Sequence, residues 1–140
     1  MEKEKEFQHY VLGFLFSKDM SEVVLLEKNK PDFLAGKING VGGKLDPEDV
    51  SVNEAMSREF EEETGLVIEP GKWISIGRIM DNHFEVDVFY SLSDNVHDAR
   101  TVEEEVVMTI SVEEARKHPR LMPNLPEMFD MAINHNRFNG

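Results

Sequence analysis

The chain has 140 residues, 28 of them acidic against 15 basic, which gives a formal net charge of −13, and it has no cysteine. This length fits one domain over residues 1–140, large enough to bury a core without cross-links. The charge repels a polyphosphate backbone and so excludes a nucleic-acid polymer as partner; the missing thiols exclude a disulfide scaffold, thiolate chemistry and sulfur-ligated metals. No run of about 18 apolar residues is present to span a membrane. Glu2, Glu4 and Glu6 remove the basic flank of a signal peptide, so a reducing cytoplasm is the expected compartment.

Taken in chain order, Met1–Glu6 is charged and expected to fray. Phe7–Ser17, rich in aromatic and β-branched residues, reads as a strand, and Lys18–Glu22 as a turn. Val23–Lys28 is a second strand, and Asn29–Lys37, with Pro31 and Gly36, a loop. Asn39-Gly40-Val41-Gly42-Gly43-Lys44 is a glycine-rich stretch whose backbone can approach a ligand closely. Ser51–Thr64 reads as a helix: Ser51 and Glu54 form a capping-box pattern, and Gly65 suits the left-handed stop. Leu66–Ile68, Trp73–Met80, Phe84–Leu92 and Val106–Ile110 are expected strands. The third of these alternates Phe84, Val86, Val88 and Tyr90 on one face. A short helix opens at Ser111 and stops at Pro119, and a closing helix runs from Asn124 to about Asn134 with Leu125, Met128, Phe129 and Ala132 along one side. This mixture implies an α/β or α+β sandwich.

On a helical wheel of Ser51–Thr64, Val52, Ala55 and Met56 form an inward stripe with Phe60 at its edge. Continued toward the C-terminus, the stripe meets Glu59, Glu62 and Glu63. Those acids repel one another at i,i+3 and i,i+4 spacing, by roughly 0.2–0.5 kcal/mol per pair on an exposed helix, and the negative helix end opposes them further. Arg58 is one cation against three acids. A hard divalent ion, Mg²⁺ with Mn²⁺ as the alternative, would supply the missing charge through oxygen ligands. A solvated acidic helix face is the competing reading of the same residues, and the surrounding sequence has to separate the two.

That context is a glycine-rich strand, a loop, a capped helix and then Arg58-Glu59-Phe60-Glu61-Glu62-Glu63-Thr64-Gly65-Leu66. The string closely resembles the signature of the Nudix (MutT-like) hydrolase family, G-x5-E-x7-R-E-U-x-E-E-x-G-U, where U is a bulky apolar residue. Its second half matches at Arg58, Glu59, Phe60, Glu62, Glu63, Gly65 and Leu66. In the first half, counting from Gly43 puts Asp49 where the family has Glu. Residues 50–57 then form a spacer of eight rather than seven, so the 46–50 loop holds one extra residue. The box covers about 43–66, and the strand order around it resembles the family's α/β/α sandwich with a mixed sheet.

The resemblance implies that Glu59, Glu62 and Glu63 ligate Mg²⁺ with the carbonyl of Gly42, and that a further acid precedes a late strand. Glu105 fits that place, an exposed acidic loop being the alternative. Arg58 would hold the carboxylates by ion pairing, and either Glu59 or Glu62 would accept the proton of the attacking water. The reaction implied is hydrolysis of a diphosphate linkage in a small nucleotide. Gly43 would let the chain pass close to the phosphates.

Asn39-Gly40-Val41-Gly42-Gly43-Lys44 is also similar to the stretch in the family's purine nucleoside triphosphate pyrophosphatases, where an Asn reads the base edge. Asn39 would have that role here, a turn-forming Asn-Gly being the alternative. Asn124 is a second candidate base contact or a helix N-cap. Lys37, Lys44 and Arg78 are candidate phosphate contacts. Core packing is preferred for Phe33 and Trp73, and a structural or surface role for the five histidines. A nucleotide-sugar or dinucleotide pyrophosphatase is the second reading, and a non-catalytic nucleotide-binding regulator the third. The complete acid set opposes the third. A homodimer is compatible with all three.

Overall fold

The computed structural model describes residues 7–139; the opening Met1–Glu6 lies outside them. Strand β1 (Gln8–Phe16) is central, because one of its edges is paired in parallel along its whole length with β6 (Phe84–Leu92). Its other edge is divided. β2 (Glu22–Glu27) takes the end, with Leu15 opposite Val24, and β4 (Val41–Lys44) takes the start, with Leu12 opposite Gly42. β3 (Ile38–Asn39) and β7 (Val106–Ser111) pair with β2, and β5 (Ile74–Met80) pairs with β6. Among the described residues the other pairings between these strands are antiparallel, and β1 with β6 is parallel, so the seven-stranded sheet is mixed.

Side-chain alternation then assigns each face its helix. Val11, Leu15, Val24, Leu26 and Phe89 pack with Ala55, Met56 and Phe60 of α1 (Val52–Thr64) and with Trp73. On the opposite face Phe14, Phe16, Leu25, Val88 and Tyr90 pack with Ala115 of α2 (Val112–Lys117) and with Leu125, Phe129 and Ala132 of α3 (Leu125–Asn139). Edge-on aromatic contacts of Phe129 with Phe14, at 5.6 Å, and with Phe16, at 6.0 Å, key α3 to the sheet. The result is the expected α/β/α sandwich. Among the described residues no helix is long and apolar enough to cross a membrane.

Three sequence expectations change. Leu66–Ile68 joins no strand; instead the Ile68 carbonyl accepts a hydrogen bond from Ser57 Oγ at 2.5 Å, which ties the segment to α1. The closing helix runs on to Asn139, since no proline or glycine interrupts it after Asn134. Phe33 is not core but 79 % exposed, on a single-turn 3-10 helix at Asp32–Leu34, whereas Trp73 is buried as expected.

Candidate active site

The ends of α1 form as the sequence predicts. Ser51 Oγ accepts from the backbone N–H of Glu54 at 3.1 Å, and Gly65 takes the left-handed stop at φ 78°. The buried stripe, however, is Ala55, Met56, Phe60 and Thr64. Phe60 therefore lies at its centre and not at its edge, drawn there by the Trp73 ring 5.2 Å away. The three carboxylates consequently differ in depth. Glu59 has a 12 % exposed side chain against 46 % for Glu62. Glu59 lies on the backbone of β4, where a Cβ on Gly43 would collide with its carboxylate. Only glycine allows that approach.

Arg58 organises this side of the helix. Its Nη1 reaches Glu59 Oε1 at 3.1 Å and Glu62 Oε1 at 3.2 Å. Its Nε and Nη2 donate to the two oxygens of Asp49 at 3.0 and 2.9 Å, and Nη2 also donates to the Lys44 carbonyl at 3.3 Å. This bonding to Arg58 holds the Asp49 carboxyl below its ordinary range. Burial pushes Glu59 up, with Glu62 adding to the effect and Arg58 opposing it.

Glu63 is placed differently. Its Oε2 is buried and has no hydrogen-bond partner among the described residues. Burial, and then the charges of Glu105, Glu103 and Glu59, push its pKa from 4.5 up to about 7. Glu105 is buried, not an exposed loop acid; it accepts from the Asn29 N–H at 3.0 Å and from Lys28 Nζ at 3.3 Å. Glu63, Glu103, Glu104 and Glu105 line one small cavity of about 110 Å³ with Lys30. Among the described residues no group of three acids or imidazoles is placed to hold a metal ion; Arg58 holds Glu59 and Glu62, while Glu63 lines the small cavity with Glu105. The donor set nevertheless suits a hard cation: it is all oxygen, one carboxylate oxygen is orphaned, and the acids outnumber the local bases.

A prediction follows for the metal-free protein. Folding takes up a proton at Glu63 between pH 4.5 and about 7, so this group's contribution to stability falls as pH rises through that window and stays low above it. Glu63→Gln should therefore raise Tm in EDTA at pH 8 and change it little at pH 4. A lower Tm for the variant at pH 8 would show that the charge is compensated within the fold.

A cleft of about 410 Å³ begins beside these acids at Gly42 and Gly43. Tyr10, Leu12, Phe84 and Val86 form an apolar wall, and Asn39 and Asn124 both line it, although they are far apart in sequence. The Asn39 Oδ1 accepts from its neighbour Gly40 N–H at 2.8 Å, so part of its amide serves the turn. The Asn124 amide has no partner among the described residues; its backbone carbonyl accepts the helical bond from Met128 at 3.4 Å. The three candidate phosphate contacts do not gather here. Lys37 and Lys44 are exposed and outside the lining of the cleft. Arg78 is engaged by Asp87 at 3.1 Å and Glu85 at 3.3 Å. The base that does line the cleft is Lys28, which sequence reasoning missed: it directly follows β2, with no local signal beyond its charge.

Mixed sheet, sandwiching helices and an acid-bearing helix beside a glycine-rich strand define a known class. The NUDIX domain model matches residues 7–131, and the chain belongs to that family. It is a Nudix hydrolase, a class that works with a divalent cation. Among solved structures, one from a study of MutT of Aliivibrio salmonicida and Vibrio cholerae superposes with a TM-score of 0.74 at 21 % identity, over 92 % of this chain and 99 % of that one. The NUDIX domain of Shewanella oneidensis NrtR, complexed with ADP ribose, gives 0.71 at 16 % identity over 96 % and 90 %. A MutT protein from Methanosarcina mazei gives 0.67 at 20 % identity over 96 % and 99 %. No curated protein matches the sequence.

Proposed function

We propose that the protein is a cytoplasmic, Mg²⁺-dependent pyrophosphohydrolase that converts a purine nucleoside triphosphate to the monophosphate and pyrophosphate. The observation that carries this reading is the continuity of the site: one cleft runs from Asn39 and Asn124 to the glycine backbone of β4, and Glu59 lies directly against that backbone. A base held between the two amides directs its phosphates along Gly42 and Gly43 toward the acids. Glu59, Glu62 and Glu63, with Glu105 and the Gly42 carbonyl, would hold Mg²⁺. A bound ion would supply charge to offset the diphosphate oxygens and would lower the pKa of a water so that it can lose its proton and act as the nucleophile. Arg58 holds Glu59 and Glu62 in place, and one of these two takes the proton from the attacking water. Lys28, at the cleft's border with Glu105, supplies positive charge to the phosphate chain.

A screen of nucleotides with Mg²⁺ tests this, reading released pyrophosphate against released phosphate. Purine triphosphates yielding pyrophosphate support it; exclusive turnover of pyrimidine substrates, or release of phosphate alone, removes it. Asn39→Ala should raise KM for the preferred purine nucleotide about 5- to 150-fold, as expected for the loss of roughly 1–3 kcal/mol of bidentate contact, and leave poor substrates nearly unchanged. A uniform loss on all substrates with a lowered Tm would assign Asn39 to the Gly40 turn alone.

One observation favours a second reading. The cleft adjoins another cavity, of about 340 Å³ between β5 and α3, and the two share Ile79 and Asn124. The combined groove would admit the larger second half of a nucleotide sugar or dinucleotide, and the ADP ribose bound to the Shewanella oneidensis domain is a diphosphate of that kind. Extending the screen to ADP ribose and dinucleotides, with release of nucleoside monophosphate as the readout, decides between the two.

A further inference from the structure

One wall of the small acid cavity is a loop, residues 99–105, that joins a single-turn 3-10 helix (Val96–Asp98) to β7 and carries Glu103, Glu104 and Glu105. On its way to those acids the loop crosses the end of α1. The Arg100 N–H donates to the Thr64 carbonyl at 3.0 Å, and the Val102 N–H donates to the Glu63 carbonyl at 3.4 Å. The last carbonyls of a helix have no partner within it, so the loop caps α1. The Arg100 side chain adds a third contact. A Cβ at position 65 would lie 2.8 Å from its Cζ and Nη1 and 3.1 Å from its Nη2, so the guanidinium rests face-on against the Gly65 backbone. We propose that Gly65 and Arg100 form a clasp that seats this loop on α1, and that Arg100 is thereby the positioning residue that sets how Glu105 faces Glu63. The inference rests on the reading of those two glutamates given above.

The clasp joins two acids that are otherwise held apart. Glu63 belongs to α1, and its own carbonyl receives Val102. Glu105 is anchored on the opposite side, where it accepts from the Asn29 N–H at 3.0 Å and from Lys28 Nζ at 3.3 Å. Thr101 Oγ1 accepts from the Val107 N–H at 3.0 Å, which folds the loop back on the start of β7. With the α1 contacts released, Glu105 would stay with Lys28 and Asn29 while Glu63 stayed with α1, and nothing would fix the gap between them.

Residue type suits both halves of the clasp. A cation is favoured at the negative end of a helix, and a planar guanidinium can lie on bare backbone as a rounded ammonium cannot. Gly65 serves twice: its φ of 78° ends the helix, and its lack of a Cβ leaves room for Arg100. A methyl group there would meet the end of a flexible side chain, so it would displace the guanidinium before it moved the loop backbone.

The test compares wild type with Arg100→Ala, Arg100→Lys, Gly65→Ala and the double variant of Arg100→Ala with Gly65→Ala. It reads Mn²⁺ affinity of the resting protein by electron paramagnetic resonance, amide exchange at Val102 without metal, kcat and KM separately, and Tm. Arg100→Ala should weaken Mn²⁺ binding and lower kcat about tenfold, with KM changed less than about threefold. Exchange at Val102 should quicken by about threefold or more. Arg100→Lys should lose as much, because it keeps the charge without the flat face; wild-type Mn²⁺ affinity in that variant would overturn the proposal in favour of charge alone. Gly65→Ala should match Arg100→Ala in Mn²⁺ affinity, and the double variant should be no worse than either, since the clasp can be lost only once. Additive losses would overturn the proposal. Should Gly65→Ala not fold, Arg100→Ala decides the matter: unchanged Mn²⁺ affinity and Val102 exchange would overturn it, as would losses accounted for by unfolded protein alone. Glu63→Gln and Glu105→Gln, assayed alongside, separate the two levels. If both keep wild-type Mn²⁺ affinity, the reading of the acids fails; if only the Arg100 variants are without effect, this inference alone fails.

Discussion

Excess EDTA should abolish nucleotide hydrolysis, and Mg²⁺ or Mn²⁺ should restore it. The reason is the local charge. Glu59, Glu62, Glu63 and Glu105 present carboxylates where the phosphates of the proposed substrate would come, and the nearby cations are already committed, Arg58 to Asp49, Glu59 and Glu62 and Lys28 to Glu105. Two like charges 4 Å apart cost about 4 kcal/mol at an effective dielectric near 20, so several such pairs would exclude the substrate from an uncompensated site. An independent readout is stability. A cation that binds only the folded chain should raise Tm in proportion to the logarithm of its concentration, and most strongly where Glu63 is ionised. Full turnover in excess chelator would refute the proposed site, and a Tm indifferent to Mg²⁺ would move the ion elsewhere.

Glu62→Gln should lower kcat by about 10²-fold or more while leaving the fold intact. The two effects separate because Glu62 contributes little to folding. At 46 % side-chain exposure its ion pair with Arg58 spans one turn and contributes about 0.3–0.5 kcal/mol. Its removal also relieves the i,i+3 repulsion from Glu59, of roughly the same size. The Tm of the variant should therefore match wild type within a few degrees. Glutamine keeps the shape and loses the negative charge, so the loss reports on charge at the reacting phosphate. Near-normal turnover would show that Glu62 is a surface acid.

Much of the site helix was legible because its signals are local. Ser51 with Glu54 and the glycine at 65 each act within a few residues, and both ends of α1 fell where those residues put them. The same holds for the alternation of Phe84, Val86, Val88 and Tyr90, which a pleated strand requires. Leu66–Ile68 misled for a related reason: its residues favour extended backbone, but a strand also needs a partner edge, and here Ser57 takes the Ile68 carbonyl instead. Phe60 was set at the edge of the stripe because a wheel contains no Trp73. Arg78 looked free for phosphate because β5 and β6 had not yet been placed in register, and that register brings Asp87 opposite it.

The sequence by itself pointed to the class of chemistry through the resemblance of residues 43–66, with Arg58, Glu59, Glu62, Glu63 and Gly65, to the Nudix signature, whereas the acidic helix face alone left a solvated surface open. What only the tertiary structure decided is how those acids are divided. Glu59 and Glu62 go to Arg58, and Glu63 lines a separate small cavity with Glu105. The Lys28 that holds Glu105 lies 77 residues from it, and Asn39 and Asn124 meet across one cleft only because β3 and the start of α3 close on the same end of the sheet. Such pairings depend on strand register and helix seating, which are set by burial of both faces of the sheet and not by any neighbour along the chain.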